Sequence, residues 1–463
     1  MNLVPEFIKV YQNIIFPLSF VYLFILQLLL FLNFSTITRG DSIILFTRCK
    51  NHPKFYPSFF IFIIFLGFHT MLLYPQENIY EITAIEVIGL KRTKPYVAEY
   101  PLEKFLGLER SAFDPNEVFA VVKDTGILEP ISAELIETED DLILRVTVLE
   151  KWTFFPLPLI IFGSGEANFG LFLLDTNAFG QRDIAAIGGA YGSYGWSAIT
   201  FYSHTPKRNG LPGWNGMFMY GRQERKDADR DEKIHRRYST DQLRFSLGLN
   251  YLFMELITGS ITLSYSDISL KNNDDILNPP NNGATHLSVN PGLSLRNSSW
   301  DGFFLSQRSI SMIYSYNYAI SGSSFHQLEF RGTYEQSLVP GFRLNIRSGG
   351  VWKSTSDPLF EEGPQIAQVA ILPRNFSARH YAGFSTGLEK HLYKARWGTL
   401  SIQGSWQGIF SYGPISDFEF NHGPAGGLNF YLSRLALPAI GGVIAYNINS
   451  GLFQLTFNMG MSL

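Results

Sequence analysis

The sequence predicts a mainly β protein, a 16-stranded antiparallel transmembrane β-barrel preceded by one small β-α-α-β-β domain. Three observations lead there. Charged residues are only 17% of the 463, aromatics reach 15%, and Gly (41), Phe (40) and Tyr (23) are heavily used. From Trp152 onward apolar and polar residues alternate with a period of two, which is strand periodicity. The alternating runs reach about 9–13 residues, the span of a tilted membrane strand rather than the five or six usual in soluble sheets. The same composition excludes intrinsic disorder, which needs few aromatics. A net charge of −3 gives no sign of a general nucleic-acid binder. A mean hydropathy near zero is too low for a polytopic helical membrane protein.

Residues 1–76 read as a leader. Val10 to Thr38 and Phe55 to Gln76 are both free of charged residues, and by length either could cross a bilayer as a helix. The second carries a basic flank (Arg48, Lys50, Lys54) ahead of the apolar run Phe59–Phe68, the order of a signal peptide. It is taken as the export signal at about 55–76. The first block is either a helical anchor or an upstream extension. The single Cys, Cys49, falls in this leader, so the chain from about Gln76 onward has no thiol for a disulfide or a metal site.

Residues 77–152 form the small domain. Ile82, Ile85 and Val87 make a first strand that stops at Gly89. Thr93 is placed to cap a helix entered through Pro95. The second helix is better punctuated: Asp114 as N-cap, Pro115 at the first position, Glu117 as reciprocal partner and Gly126 as stop. Its buried face is Val118, Val121 and Val122. Strands Ile131–Glu137 and Leu142–Glu150 follow, joined through Glu139-Asp140-Asp141.

Residues 153–463 form the barrel. Phe453, Leu455, Phe457, Met459, Met461 and Leu463 alternate with Gln454, Thr456, Asn458, Gly460 and Ser462. Tyr314, Tyr316 and Tyr318 share one face, as do Leu328, Phe330 and Tyr334. Phe342, Leu344 and Ile346 alternate with Arg343, Asn345 and Arg347. In a barrel the apolar face meets lipid and the polar face a wet lumen. Connections alternate too. Gly180–Asp183, Met254–Thr258, Val339–Gly341 and Tyr393–Trp397 are short, whereas Gln223–Asp241, Ser269–Thr285, Thr355–Tyr381 and Tyr412–His422 are long and polar. Such asymmetry is expected of a barrel whose short turns lie on one side of the membrane.

Several motifs then carry a resemblance. Ile85-Glu86-Val87-Ile88-Gly89 with Arg92-Thr93 resembles the opening of a polypeptide-transport-associated (POTRA) domain. Leu174-Asp175-Thr176-Asn177-Ala178-Phe179-Gly180 is similar to a second-strand signature, and Leu372-Pro373-Arg374-Asn375-Phe376 sits where an Arg-Gly-aromatic motif would. With the terminal strand, these resemble the BamA/TamA-type bacterial surface antigen superfamily, which includes two-partner-secretion transporters. The resemblance covers residues 77–463. It implies a loop folded into the lumen, with Arg374 paired to Glu389 on the next strand. Asn375 replaces the Gly before Phe376, Gln407 stands where an Asp is usual, and Leu463 replaces a terminal aromatic. These departures leave the fold intact and bear on the assembly activity.

The first barrel strand holds Pro156 and Pro158 beside Leu159 and Ile161, and proline cannot donate to a ladder, so central strands exclude it. A weak seam is expected between this strand and the last, with Phe453, Leu455, Phe457 and Leu463, usable as a lateral gate. The resemblance implies an outer-membrane protein assembly, insertion or polypeptide translocation factor. Its periplasmic POTRA would bind unfolded outer-membrane or secreted client chains by strand addition. Outer-membrane lipid and accessory periplasmic or lipoprotein partners are expected, and nucleic acid is not. The alternatives are a passive porin-like channel and a two-partner-secretion-type exporter.

No enzyme, cofactor or metal is expected. Gly383-Phe384-Ser385-Thr386-Gly387 matches G-x-S-x-G, but that motif needs a strained strand-to-helix elbow and here lies inside a strand; His380 and His391 nearby do not change that. Neither H-E-x-x-H, Walker A nor G-x-G-x-x-G occurs. The lumen charges Glu329, Arg331, Glu335, Arg343 and Arg347 read as an electrostatic scaffold rather than an ion-selectivity ring. The charged stretch Gln223–Asp241 reads as a solvated surface loop.

Overall fold

The computed structural model describes residues 81–463 apart from 139–140, 164–165, 206–210, 255, 272–275, 302–303, 368, 396–397, 414–417, 433–439 and 460–463. The expected leader over 1–76, with Cys49, lies outside the described residues, and so does Leu463.

The small domain is a three-stranded sheet under two helices. Strand β1 (Ile82–Ile88) ends at Gly89 with φ +101°, a conformation open to glycine at little cost. Helix α1 (Pro95–Glu99) runs into a 3-10 turn over Tyr100–Phe105. Helix α2 (Pro115–Asp124) begins as the sequence predicts: the Asp114 carboxylate accepts the Asn116 N–H at 2.9 Å, and Pro115 occupies the first turn. Strands β2 (Leu128–Glu137) and β3 (Leu142–Glu150) follow. β3 is central, parallel to β1 and antiparallel to β2. Alternate residues Leu142, Leu144, Val146 and Val148 turn toward the helices and pack with Val97, Leu102, Val118 and Val122. Thr93 is not the helix cap. Lys94 takes that position without a side-chain bond, because Thr93 is committed elsewhere.

The remainder is one antiparallel sheet in which every strand pairs with its sequence neighbours. It opens with β4 (Phe154–Gly163), β5 (Glu166–Ala178), β6 (Asp183–Gly192) and β7 (Gly195–His204). The long pair β8 (Pro212–Ala228) and β9 (Ile234–Met254) comes next, then β10 (Ile257–Lys271), β11 (Ala284–Asp301) and β12 (Phe304–Ser321). β13 (Phe325–Val339) and β14 (Phe342–Lys353) lead into a long connection, 354–379. β15 (His380–Ala395), β16 (Gly398–Tyr412), β17 (Glu419–Leu432), β18 (Ile440–Asn447) and β19 (Leu452–Met459) complete the sixteen. β4 and β19 stand at the two ends of this ladder and lie beside each other, which closes the sheet into a barrel.

The period of two sorts the faces. On β9, Phe245, Leu247, Leu249, Tyr251 and Phe253 are all exposed. On β19, Phe453 and Leu455 are exposed while Gln454 is buried, as the alternation predicts. An apolar outside and a polar inside are the pattern of a membrane barrel. One connection departs from expectation. Gln223–Asp241 is not a loop but the continuation of β8 and β9, with a turn over 229–233. Its charges concealed a ladder because a strand reaching beyond the lipid gains nothing from apolar residues.

Candidate functional site

The connection 354–379 fills the lumen. Its apolar residues Ala367, Ala370, Ile371, Leu372 and Phe376 are buried against inward residues of five consecutive strands, among them Val351, Tyr381, Ile409, Ala425 and Val443. Glycine makes room for it. Gly349 on β14 and Gly383 on β15 face each other across the ladder. A Cβ at Gly349 would overlap the Ile366 carbonyl oxygen, and one at Gly383 would come within 2.8 Å of the Ala367 Cβ. The first glycine of G-F-S-T-G is therefore a seat for the plug, which explains it without a nucleophile. Gln407 on β16 points inward, and its Oε1 accepts the Ala370 N–H at 2.6 Å.

The other end of the plug is tied by charge. Arg225 donates to the carbonyls of Leu359 (3.1 Å) and Glu361 (2.8 Å) and pairs with Asp227 at 2.8 Å. Arg236 bridges Asp227 at 3.3 Å and the Glu361 carboxylate at 2.7 Å. The chain also adds to the end of β8. The Ala228 N–H donates to the Asn375 carbonyl at 2.9 Å, and the Ser377 N–H to the Ala228 carbonyl at 3.2 Å. Arg225, Asp227 and Arg236 did not stand out in the sequence, since they lie where a solvated loop was expected, and Glu361 lies in the lumen loop without a motif to mark it.

Glu389 and Arg374 do not meet as expected. Arg374 lies over the Tyr194 ring, 5.2 Å from its centroid, on the far side of the mouth. Glu389 instead pairs with Arg343, its direct cross-strand neighbour. Arg343 also reaches Glu335 at 3.0 Å, donates to the Tyr431 hydroxyl at 2.9 Å and stacks over Phe304. Tyr431 (2.7 Å), Asn429 (3.0 Å) and Ser401 donate to Glu389 Oε1. Arg347 closes the set by donating its Nε to Glu335 at 3.0 Å. Arg343 was placed among scaffold charges by periodicity, but its partner depends on register, which no single strand reveals. Asn375 contributes its backbone and Phe376 its buried ring.

The Ile85–Thr93 and Leu174–Gly180 motifs come together at the end of the barrel that carries the small domain. Arg92 pairs with Asp175, the Asn177 amide donates to the Thr93 hydroxyl at 2.9 Å, and the Lys94 N–H donates to the Gly180 carbonyl at 2.8 Å. Gly180 has φ +70°, and a Cβ there would overlap the Arg92 carbonyl oxygen. Arg182 donates to the Asp124 carbonyl at 3.2 Å, so helix α2 is tied down as well. From the last residue of β3, Glu150 accepts the N–H groups of Thr93 (2.7 Å), Lys91 (2.9 Å) and Arg92 (3.1 Å). Burial opposes its ionisation, but these donors outweigh burial and hold the carboxyl below the usual carboxylate range.

At the seam, β4 pairs along its whole length with β5, Pro156 opposite Leu173 and Pro158 opposite Leu171. Both prolines are exposed. The side chains of Leu159, Ile161 and Phe457 lie outside the described residues.

No protein-family model and no curated protein matches the chain. Solved structures do. CdiB from Acinetobacter baumannii superposes with a TM-score of 0.54 at 14% identity, over 82% of this chain and 74% of that one. CdiB from Escherichia coli gives 0.52 at 10% identity, over 84% and 92%. BamA from Haemophilus ducreyi lacking POTRA domains 1-3 gives 0.48 at 11% identity, over 82% and 84%. The chain, whose own sheet is a 16-stranded antiparallel barrel, therefore shares the fold of the CdiB structures, as the resemblance to the surface-antigen superfamily implies.

Proposed function

We propose that this protein is an outer-membrane factor that assembles, inserts or translocates polypeptides, with the small domain acting as a periplasmic POTRA. The observation that carries the reading is the plugged lumen joined to a docked, strand-edged domain. A passive porin-like channel is disfavoured, because Gly349, Gly383 and Gln407 hold a loop where solute would pass. β2 forms one edge of the small sheet, and an exposed edge takes up an extended client strand through backbone hydrogen bonds. Ile131, in the bulge of β2, is exposed beside that edge. The client would pass to the seam between β4 and β19, where prolines in the first strand limit what the ladder can offer. No cofactor or covalent chemistry is required of it, and outer-membrane lipid is the solvent of the outer face.

The test compares outer-membrane and secreted proteomes with and without the protein. Loss of other barrels supports insertion, and loss of one secreted passenger supports the exporter form. Loss of small-solute flux alone would reject both. Gating is tested by cysteine pairs joining β4 to β19 in a Cys49→Ser background: full activity with the seam locked shut would reject it.

A further inference from the structure

The turn between β8 and β9 does more than join two strands. Within five residues it touches three separate parts of the far mouth. Ala228, at the end of β8, is backbone-paired to Asn375 and Ser377 of the plug. Two residues on, Arg230 Nη1 lies 3.7 Å from Glu419, the first residue of β17. Glu232, held at φ +63° in the left-handed region, places its Oε1 3.0 Å from the Gln454 amide on β19. A non-glycine residue in that conformation is strained and persists where the surroundings fix it. The turn itself is braced: the Asp229 carboxylate accepts the N–H groups of Asp231 and Lys233, both at 3.0 Å, and sits 2.7 Å from His235 Nε2. Gln454 faces inward and is buried, opposite Ala445, which packs in the plug cluster.

We infer that the β8–β9 turn is a latch that holds the closing strand shut from across the mouth and ties its release to movement of the plug. β19 has only β18 as a ladder partner in the sheet order, so a side-chain contact from outside the ladder bears on whether its end swings away. Glu232 supplies that contact, 222 residues distant in sequence. Arg230 steadies the reach by gripping β17. Because Ala228 is bonded to the plug on both its N–H and its carbonyl, a displaced plug pulls the turn and takes Glu232 off Gln454. The role is positioning, and it rests on the proposed seam.

The test uses the full chain with Cys49→Ser in lipid nanodiscs, nitroxide-labelled at Ser193 and Ile448 in far-end turns on either side of the seam. The unmodified latch gives one narrow distance distribution. Glu232→Ala adds a longer, broader component, whereas Glu232→Gln, which keeps an acceptor oxygen, does not. An oxidised Glu232→Cys/Gln454→Cys tether, labelled after oxidation, keeps the distribution narrow even with Arg230→Ala. A Glu232→Ala distribution that superimposes on the parent overturns the latch. Client handling is scored separately by proteome comparison. A broadened seam with an unchanged proteome leaves the latch standing and removes the client role instead.

Discussion

Arg343 on β14 and Glu389 on β15 sit directly opposite each other in the ladder and pair inside the barrel, 2% and 0% exposed. Glu335 and Tyr431 complete the shell around the guanidinium. Breaking one side of such a buried pair leaves an uncompensated charge and costs ~3–5 kcal/mol. Arg343→Met should lower the barrel's unfolding free energy, measured by urea titration, by that order. Arg343→Met/Glu389→Gln should recover part of it, since less charge is left alone. An Arg343→Met barrel as stable as the parent would deny the cluster its structural role.

The glycine seat gives a second prediction. Gly349→Val places a branched side chain where the Ile366 carbonyl lies and should dislodge the plug, raising single-channel conductance in planar bilayers. Gly404→Val is the control, because nothing approaches its Cβ position within 4 Å. Equal conductance in the two variants would mean the loop does not depend on this seat.

Docking of the small domain is graded. Arg92 and Asp175 are 44% and 12% exposed, and a pair so hydrated is worth ~1 kcal/mol at most. Arg92→Ala should loosen the domain slightly. Gly180→Ala combines backbone strain with overlap on the Arg92 carbonyl and should loosen it more. Limited proteolysis between the domain and the barrel would rank the two, and the reverse order would place the tie elsewhere.

Glu150 predicts a pH dependence. Its folded-state pKa is lowered, so its stabilisation is fully present above the unfolded-state value of about 4.3 and is lost as pH falls through the folded value. The difference in domain stability between the parent and Glu150→Gln should therefore be constant near neutrality and shrink in acid. Urea titrations at several pH values would measure it, and a difference that persists unchanged in strong acid would exclude the carboxylate as the cause.

Much of this architecture was legible residue by residue. Phe453 and Leu455 facing out while Gln454 faces in follows from alternation alone, and Asp114-Pro115 marked its helix start unaided. The misreadings share a cause. Thr93 looked like a cap because its chain neighbours suit one, yet Glu150 and Asn177 claim it from distant strands. Arg374 was paired to Glu389 by position in a motif, whereas the plug's path carries it to Tyr194. Arg225, Asp227 and Arg236 were hidden in a stretch whose charge suggested solvent rather than a ladder.

By itself the amino-acid order determined the strand periodicity, the number of strands, the lipid-facing and lumen-facing sets, and the start and stop of helix α2. Those follow from side-chain direction and caps, which act over a few residues. Only the tertiary structure decided that Arg343 answers Glu389, that paired glycines seat the plug, and that Glu232 reaches Gln454. Each joins segments far apart in the chain, and such meetings are set by strand register and barrel closure rather than by any local preference.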